Sequence, residues 1–261
     1  MVFLTSTDLV TFILILAVGV PLVYIVAKLL KLPSQPIEIA EKKKQAILSL
    51  TLFVVVFAIA FAILAIYAYV WVRPNLQEDP IYVFRDTIWT TAILIPLVAV
   101  AKLTGQNFAS LGLSRRNLTK NLSFGFFVSF IFIFILVFLA PSLGGGFAGF
   151  SLPAVYSLIS LVLIGFGEEI IFRGFIQTRL TAYGDAITGI TVSSLLFAFF
   201  NFPLGYFCYS GDVLAAFSYA LWRFSTGFVF SYMFHRSKNI VPSTIFHALF
   251  IWGALLLRLY F

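Results

Sequence analysis

The chain has 261 residues, of which 61% are hydrophobic and only 10% charged, with a formal net charge of +7. Soluble domains carry about 25% charged residues, so most of this polypeptide reads as lipid-embedded and its positive balance as a matter of membrane topology. No basic run interleaved with exposed aromatics stands outside the apolar segments, which argues against nucleic-acid binding.

The opening MVFLTSTD carries no Lys or Arg and leads into an apolar run from Leu9 to Leu30. A secretory signal needs a basic start, a shorter apolar core and a cleavage site, so this run is expected to be a retained first span. Pro33, Pro36 and the Lys42, Lys43, Lys44 run mark the loop that follows. Further spans are expected over 46–72, 87–101, 121–140, 154–180, 186–201, 213–234 and 240–257. The third is short enough to be re-entrant. The basic segment after it, residues 102–120, reads either as an interfacial piece or as a solvated loop. The glycines of PSLGGGFAGFSLP are followed by no Lys-Ser/Thr and preceded by no strand, so they make a flexible turn rather than a phosphate loop. The sixth span is expected to stop at Asn201-Phe202-Pro203. The 32 Phe are read as lipid-facing or packing residues, and the single cysteine, Cys208, as an inert small residue.

Backbone groups in lipid must be satisfied within each segment. The fold class is therefore all-α: a polytopic transmembrane helix bundle of about eight spans. It forms a single membrane domain, with residues 1–150 supplying N-terminal helices and loops and 151–261 the motif-bearing core. Cytoplasmic loops carry the Lys/Arg excess. One set of alternate loops holds Lys28, Lys31, Lys42, Lys43, Lys44, Lys102, Arg115, Arg116, Lys120, Arg179, Arg236 and Lys238, while the other holds only Arg73, Arg85 and Arg258. Both termini are accordingly expected on the non-cytoplasmic side.

Within the fifth span, GFGEEIIFRGF puts Glu168, Glu169 and Arg173 where a bare charge costs about 2.5–3.5 kcal/mol on insertion scales. Intramembrane charges mark functional sites by default. Glu169 and Arg173 are four apart, acid first, and are expected to pair on one helix face, which leaves Glu168 without a built-in partner. Asn201, Arg223 and His247 are also polar groups in apolar helices, and a bundle hides such groups by turning them toward each other. A buried carboxylate beside a histidine suits general-base activation of water. The structural readings stand beside this one: Glu169 with Arg173 as a helix-stabilising pair, Arg223 as a snorkelling or charge-neutralising residue, and His247 as a packing histidine. His235, in the loop FHRSKN, is expected to be solvated. One intramembrane His and two adjacent Glu fall short of a zinc set, so no metal or cofactor is expected. Solute transport through the buried charges is disfavoured, since the chain shows no broken-helix pair and no two-half symmetry.

Glu168-Glu169-Ile170-Ile171-Phe172-Arg173 followed by Gly174-Phe175 resembles the EExxxR motif of the CAAX protease and bacteriocin-processing family, the multispanning proteins related to the type II CAAX prenyl endopeptidase. Downstream, Ser194 to Asn201 resembles that family's FxxxH segment, and Thr244-Ile245-Phe246-His247-Ala248 its closing histidine segment. The resemblance runs from Val155 to the C-terminus. It implies an intramembrane endopeptidase in which Glu168 activates water, Glu169 and Arg173 support the site, and His247 assists. Two positions depart: Asn201 stands where the family has His, and Ile251 where it has Asn or Asp. Asn does not titrate near neutrality and Ile neither donates nor accepts a hydrogen bond, so activity is expected to be reduced or lost. A rival reading from another class is a non-catalytic relative that binds a membrane partner as an assembly, maturation or immunity factor. The expected partners are the lipid bilayer and a peptide or membrane-protein substrate or partner.

Overall fold

The computed structural model describes residues 6–32, 37–71, 81–139, 141, 146, 147 and 149–257. Pro33, Pro36, Arg73, Arg258 and most of the glycine turn lie outside them, as does the side chain of Arg85. The described elements are α1 (Ser6–Leu29), α2 (Lys42–Trp71), α3 (Ile81–Leu103), a 3₁₀ turn at Phe108–Leu111, α4 (Leu118–Leu139), α5 (Leu152–Glu169), a π-helical stretch at Ile170–Gln177, α6 (Thr178–Tyr183), α7 (Ala186–Cys208), α8 (Val213–Ser237) and α9 (Ile240–Leu256). Helix α5, the π stretch and α6 make one continuous rod, so the described chain folds as eight helical rods. Seven of these are long and apolar enough to cross a membrane; α9, at 17 residues, is shorter, about 25 Å at 1.5 Å per residue.

Several expected boundaries move. Lys42, Lys43 and Lys44 form the first turn of α2 rather than a loop, with Lys44 paired to Glu41 at 2.8 Å. Helix α3 has 23 residues, although the stretch of it apolar enough to cross a membrane, Asp86–Leu103, is as short as expected at 18 residues. Helix α7 does not stop at Asn201; it continues through Pro203 to Cys208. Proline is tolerated inside membrane helices because neighbours re-satisfy the freed backbone groups, and Pro21 and Pro96 sit inside α1 and α3 in the same way. Those two extra turns place Asn201 within its span rather than at its end. His235 lies in the last turn of α8, half-buried, with Nδ1 3.2 Å from Lys238 Nζ, so it is not a solvated loop residue.

The C-terminal helices begin on side-chain caps. Ser151, Asp185, Asp212 and Asn239 each accept a backbone N–H of the following helix, which satisfies donors that a helix start leaves free. Helix α7 packs along α8, α9 packs on both α4 and α5, α1 lies on α8, and α3 on α5. Of the four N-terminal spans, 22–33% of each is buried, against 44–50% for the three that follow. The interior, and with it the polar groups, therefore belongs to α5–α9, while α1–α4 turn much of their surface to lipid. At one end of the bundle, Ile37, Glu38, Ser114, Arg116, Ser237 and Lys238 border a common cleft, and Arg236 lies over the Tyr24 ring at 5.4 Å. Arg116 and Lys238 thus share one end of the bundle, with Arg236 close by on α8.

Candidate active site

The rod changes its winding at the two glutamates. Glu169 ends α5, and Ile170–Gln177 winds as a π-helix, a form that is rare in soluble and membrane proteins alike and concentrates at functional sites. Side chains bond the carbonyls along it: Thr178 Oγ1 donates to Arg173 O (3.1 Å), Ser193 Oγ of α7 to Phe172 O (2.8 Å), and Arg179 Nη1 to Gly174 O (3.1 Å). On its other side Gln177 Nε2 donates to Ser231 O of α8 at 2.9 Å.

Arg173 pairs with Glu169 as the spacing predicts, Nη1 to Oε1 at 3.2 Å, with both side chains fully buried. Its Nη2 donates to Gly227 O of α8 at 2.9 Å. A glycine is needed there, because a Cβ on Gly227 would sit 2.8 Å from the Phe197 ring and 3.2 Å from Arg173 Nη2. The guanidinium also lies over Phe197 at 4.4 Å and Phe230 at 5.3 Å. With Phe172 at 5.9 Å as well, the arginine is held by one carboxylate, one carbonyl and three rings, contacts that offset burial of a planar cation.

His247 enters from α9. Its Nδ1 is 3.2 Å from Glu169 Oε1 and its Nε2 3.7 Å from Glu168 Oε2. Its ring stacks on Phe230 at 4.7 Å and meets Phe197 edge-on at 6.0 Å. Glu169 Oε1 faces both Arg173 Nη1 and His247 Nδ1, and a hydrogen carried on Nδ1 points at that oxygen and leaves the Nε2 lone pair toward Glu168. Glu168 Oε2 and His247 Nε2 are both buried and neither makes a hydrogen bond within the protein. The two carboxylates differ in what they face: Glu169 Oε1 meets Arg173 and His247, while Glu168 Oε2 faces His247 Nε2 alone, and the Oε2 of each accepts no hydrogen bond within the protein.

Glu168, Glu169, Arg173 and His247 come together as their placement in apolar helices predicted. Asn201 is buried, but its Nδ2 donates to Phe197 O of its own helix at 2.9 Å and it is hydrogen-bonded to neither Glu168 nor His247. Ile251, one turn beyond His247, packs against the apolar core. Arg223 does not snorkel: it is 6% exposed, with Nε donating to Tyr219 Oη at 3.1 Å and its guanidinium 5.5 Å from the Phe197 ring centre. Among the described residues, no group of three or more His, Cys, Asp or Glu side chains is placed to hold a metal ion.

Three supporting groups escape sequence reasoning. Phe197 touches Arg173, Arg223 and His247 at once, and one Phe among 32 carries no local signal of that. Gly227 serves through its carbonyl. Arg179, counted among loop cations for topology, is fully buried and donates to Ser110 O (2.9 Å) and Gln106 Oε1 (2.8 Å), docking the 102–120 segment onto the π stretch. Gln106 and Ser110 thus anchor a segment whose residues 102–105 and 107–109 remain exposed. The signal for Arg179 was its place six residues after Arg173 on the same apolar rod.

Residues 150–253 match the family model described as Type II CAAX prenyl endopeptidase Rce1-like. No curated protein and no solved structure matches the chain. The matched span contains every member of the buried cluster, in the order and spacing of the EExxxR and closing histidine segments, so the chain is a multi-pass membrane protein whose residues 150–253 are similar to the Rce1-like family.

Proposed function

We propose that the chain is an intramembrane endopeptidase of the glutamate type, acting on a prenylated or membrane-held peptide at a reduced rate. The observation that carries this reading is the 3.7 Å approach of Glu168 Oε2 to His247 Nε2, both free of other hydrogen bonds, with Nδ1 anchored on Glu169. A water molecule between peptide and Glu168 gives its proton to Oε2. Its oxygen bonds to the scissile carbonyl carbon, and the carbonyl π electrons move onto oxygen to make the oxyanion. When the intermediate collapses, the C–N bond breaks and the leaving amine takes the proton from Glu168, directly or through His247 Nε2. Glu169 and Arg173 orient the imidazole without exchanging protons. A proton-transfer partner of this kind contributes about 10²–10⁴ in rate.

Arg116 and Lys238 at one end of the bundle, with Arg236 close by, support a topology with that end cytoplasmic and both termini opposite. Moving Arg179 from loop to interior leaves the bias of basic residues with the same sign.

The second reading, a non-catalytic relative that binds a membrane-protein partner, is favoured by Asn201 bonding its own helix and by Ile251 packing on apolar groups. Purified protein in detergent, offered a prenylated CAAX peptide and a membrane-peptide library with Glu168→Ala in parallel, separates the two. The proposal expects cleavage that Glu168→Ala abolishes and that Asn201→His with Ile251→Asn accelerates. Folded protein that cleaves nothing, while the doubly substituted form cleaves readily, sinks it in favour of the partner-binding reading.

A further inference from the structure

We infer that Arg223 binds the substrate carbonyl oxygen, and hence the oxyanion, in place of the donors that positions 201 and 251 do not supply. This rests on the endopeptidase reading above. It starts from helix register. Arg173 reaches Gly227 and Gln177 reaches Ser231, two bonds with the same offset of 54 residues. The rod carrying the glutamates therefore runs parallel to α8. Carried back one turn, the same offset of 54 takes Glu169 to Arg223 (223 − 169), so the two residues stand level on their helices.

Its direction is equally constrained. Arg223 is 94% buried, and its guanidinium lies 5.5 Å from the centre of the Phe197 ring, the ring that also packs on Arg173 and His247. Phe197 is one turn before Asn201 on α7 and receives the Asn201 amide on its carbonyl. Arg223 thus approaches the patch of α7 whose polar position carries Asn201. Tyr219, one turn earlier on α8, accepts from Arg223 Nε on its Oη at 3.1 Å and so fixes one end of the guanidinium.

What remains of the guanidinium is a donor without an acceptor. Arg223 Nη1 is buried and makes no hydrogen bond, and among the described residues Arg223 forms no ion pair with either glutamate. A counter-ion role alone does not account for that geometry, since a buried cation placed for neutralisation closes on its carboxylate. A planar fork held at one end by Tyr219, with Nη1 free near the Phe197 ring that His247 also meets, is the arrangement of an oxyanion donor: fixed in advance, dry, and strongest when charge develops on oxygen. No proton leaves Arg223; it contributes hydrogen bonds only.

The test uses the full chain in detergent and a readout that needs no turnover. In a Glu168→Ala background, the affinity of a farnesyl-cysteine peptide whose scissile amide is replaced by an anionic phosphonate is compared with that of the parent amide peptide, with Arg223 intact and as Arg223→Met. Methionine keeps the length and the apolar stem and removes the donors; Arg223→Gln is the second variant if Arg223→Met melts early. The expected result is a loss of about 10²–10³ in phosphonate affinity, with amide affinity changed little. Equal phosphonate affinity with and without the guanidinium overturns the assignment, as does a chain that binds no phosphonate at all. Cleavage by the Glu168 form, scored separately, reports on the endopeptidase reading. A chain that cleaves nothing yet binds phosphonate through Arg223 loses that reading and keeps this site, whereas cleavage unaffected by Arg223→Met does the reverse.

Discussion

Arg173 and Arg179 sit on one rod, six residues apart, and both are fully buried, yet they are held in opposite ways. Arg173 meets a carboxylate, a histidine-bearing carboxylate cluster and a glycine carbonyl. Arg179 meets no carboxylate among the described residues; carbonyls of Ser110 and Gly174, the Gln106 amide and the Phe175 ring at 4.0 Å hold it. The first arrangement sets a cation against a carboxylate that also reaches His247, and the second spends a fixed cation on fixed dipoles. One suits chemistry and the other suits docking. A buried arginine in a membrane helix is therefore not by itself a mark of catalysis; the acids around it are.

The comparison breaks most visibly at Arg173. Arg173→Met leaves Glu169 buried without its cation, and removal of one partner from a buried pair costs about 3–5 kcal/mol. Thermal melting in detergent should show the largest drop of the variants considered, and Glu169→Gln placed on top should recover part of it. Recovery is the signature of a charge pair, so its absence would mean that Arg173 acts through Gly227 and the rings alone.

Arg179→Met should cost less, about 1–3 kcal/mol for acceptors left without a donor. No acid substitution should rescue it, because no acid faces it. Its effect should concentrate in the 102–120 segment, read as faster amide exchange at Gln106 to Leu111, with Glu168-dependent cleavage reduced through amount folded rather than through a changed pH profile.

The smallest change sharpens the contrast further. Gly174 lies under the 3₁₀ turn so closely that a Cβ there collides with Leu111 O. Gly174→Ala should therefore cost about 1–3 kcal/mol by overpacking and should loosen the same docking that Arg179 secures. If melting drops and exchange in 106–111 does not rise, the docking of that segment is independent of the rod and the comparison is wrong on the Arg179 side.

Much of the candidate site was legible from the chain because charge in lipid is expensive enough to be conspicuous. Glu168, Glu169, Arg173 and His247 stand out in apolar runs, and the i,i+4 spacing of Glu169 and Arg173 forecasts the pair found at 3.2 Å. The π winding at Ile170–Gln177 was not legible, since it depends on which neighbouring side chains bond the rod's carbonyls. Helix ends were misjudged where a polar residue or a proline was taken for a terminus: Asn201 and Pro203 sit inside α7 because in lipid a helix is cheaper to continue than to break. Arg179 was misjudged for the related reason that sequence counts a cation near a helix end as solvated, whereas Ser110 and Gln106 reach it only through the fold.

By itself the sequence determined the solvent in which this protein lives, its all-helical architecture and the short list of polar side chains that had to find one another, because each follows from the cost of an unpaired backbone or side-chain group in hydrocarbon. Only the tertiary structure decided which outside groups meet the Glu169–Arg173 pair: His247 between the two glutamates and the Gly227 carbonyl on Arg173. Those meetings depend on where α9 delivers His247 and where α8 offers the Gly227 carbonyl, distances between helices that no local pattern encodes.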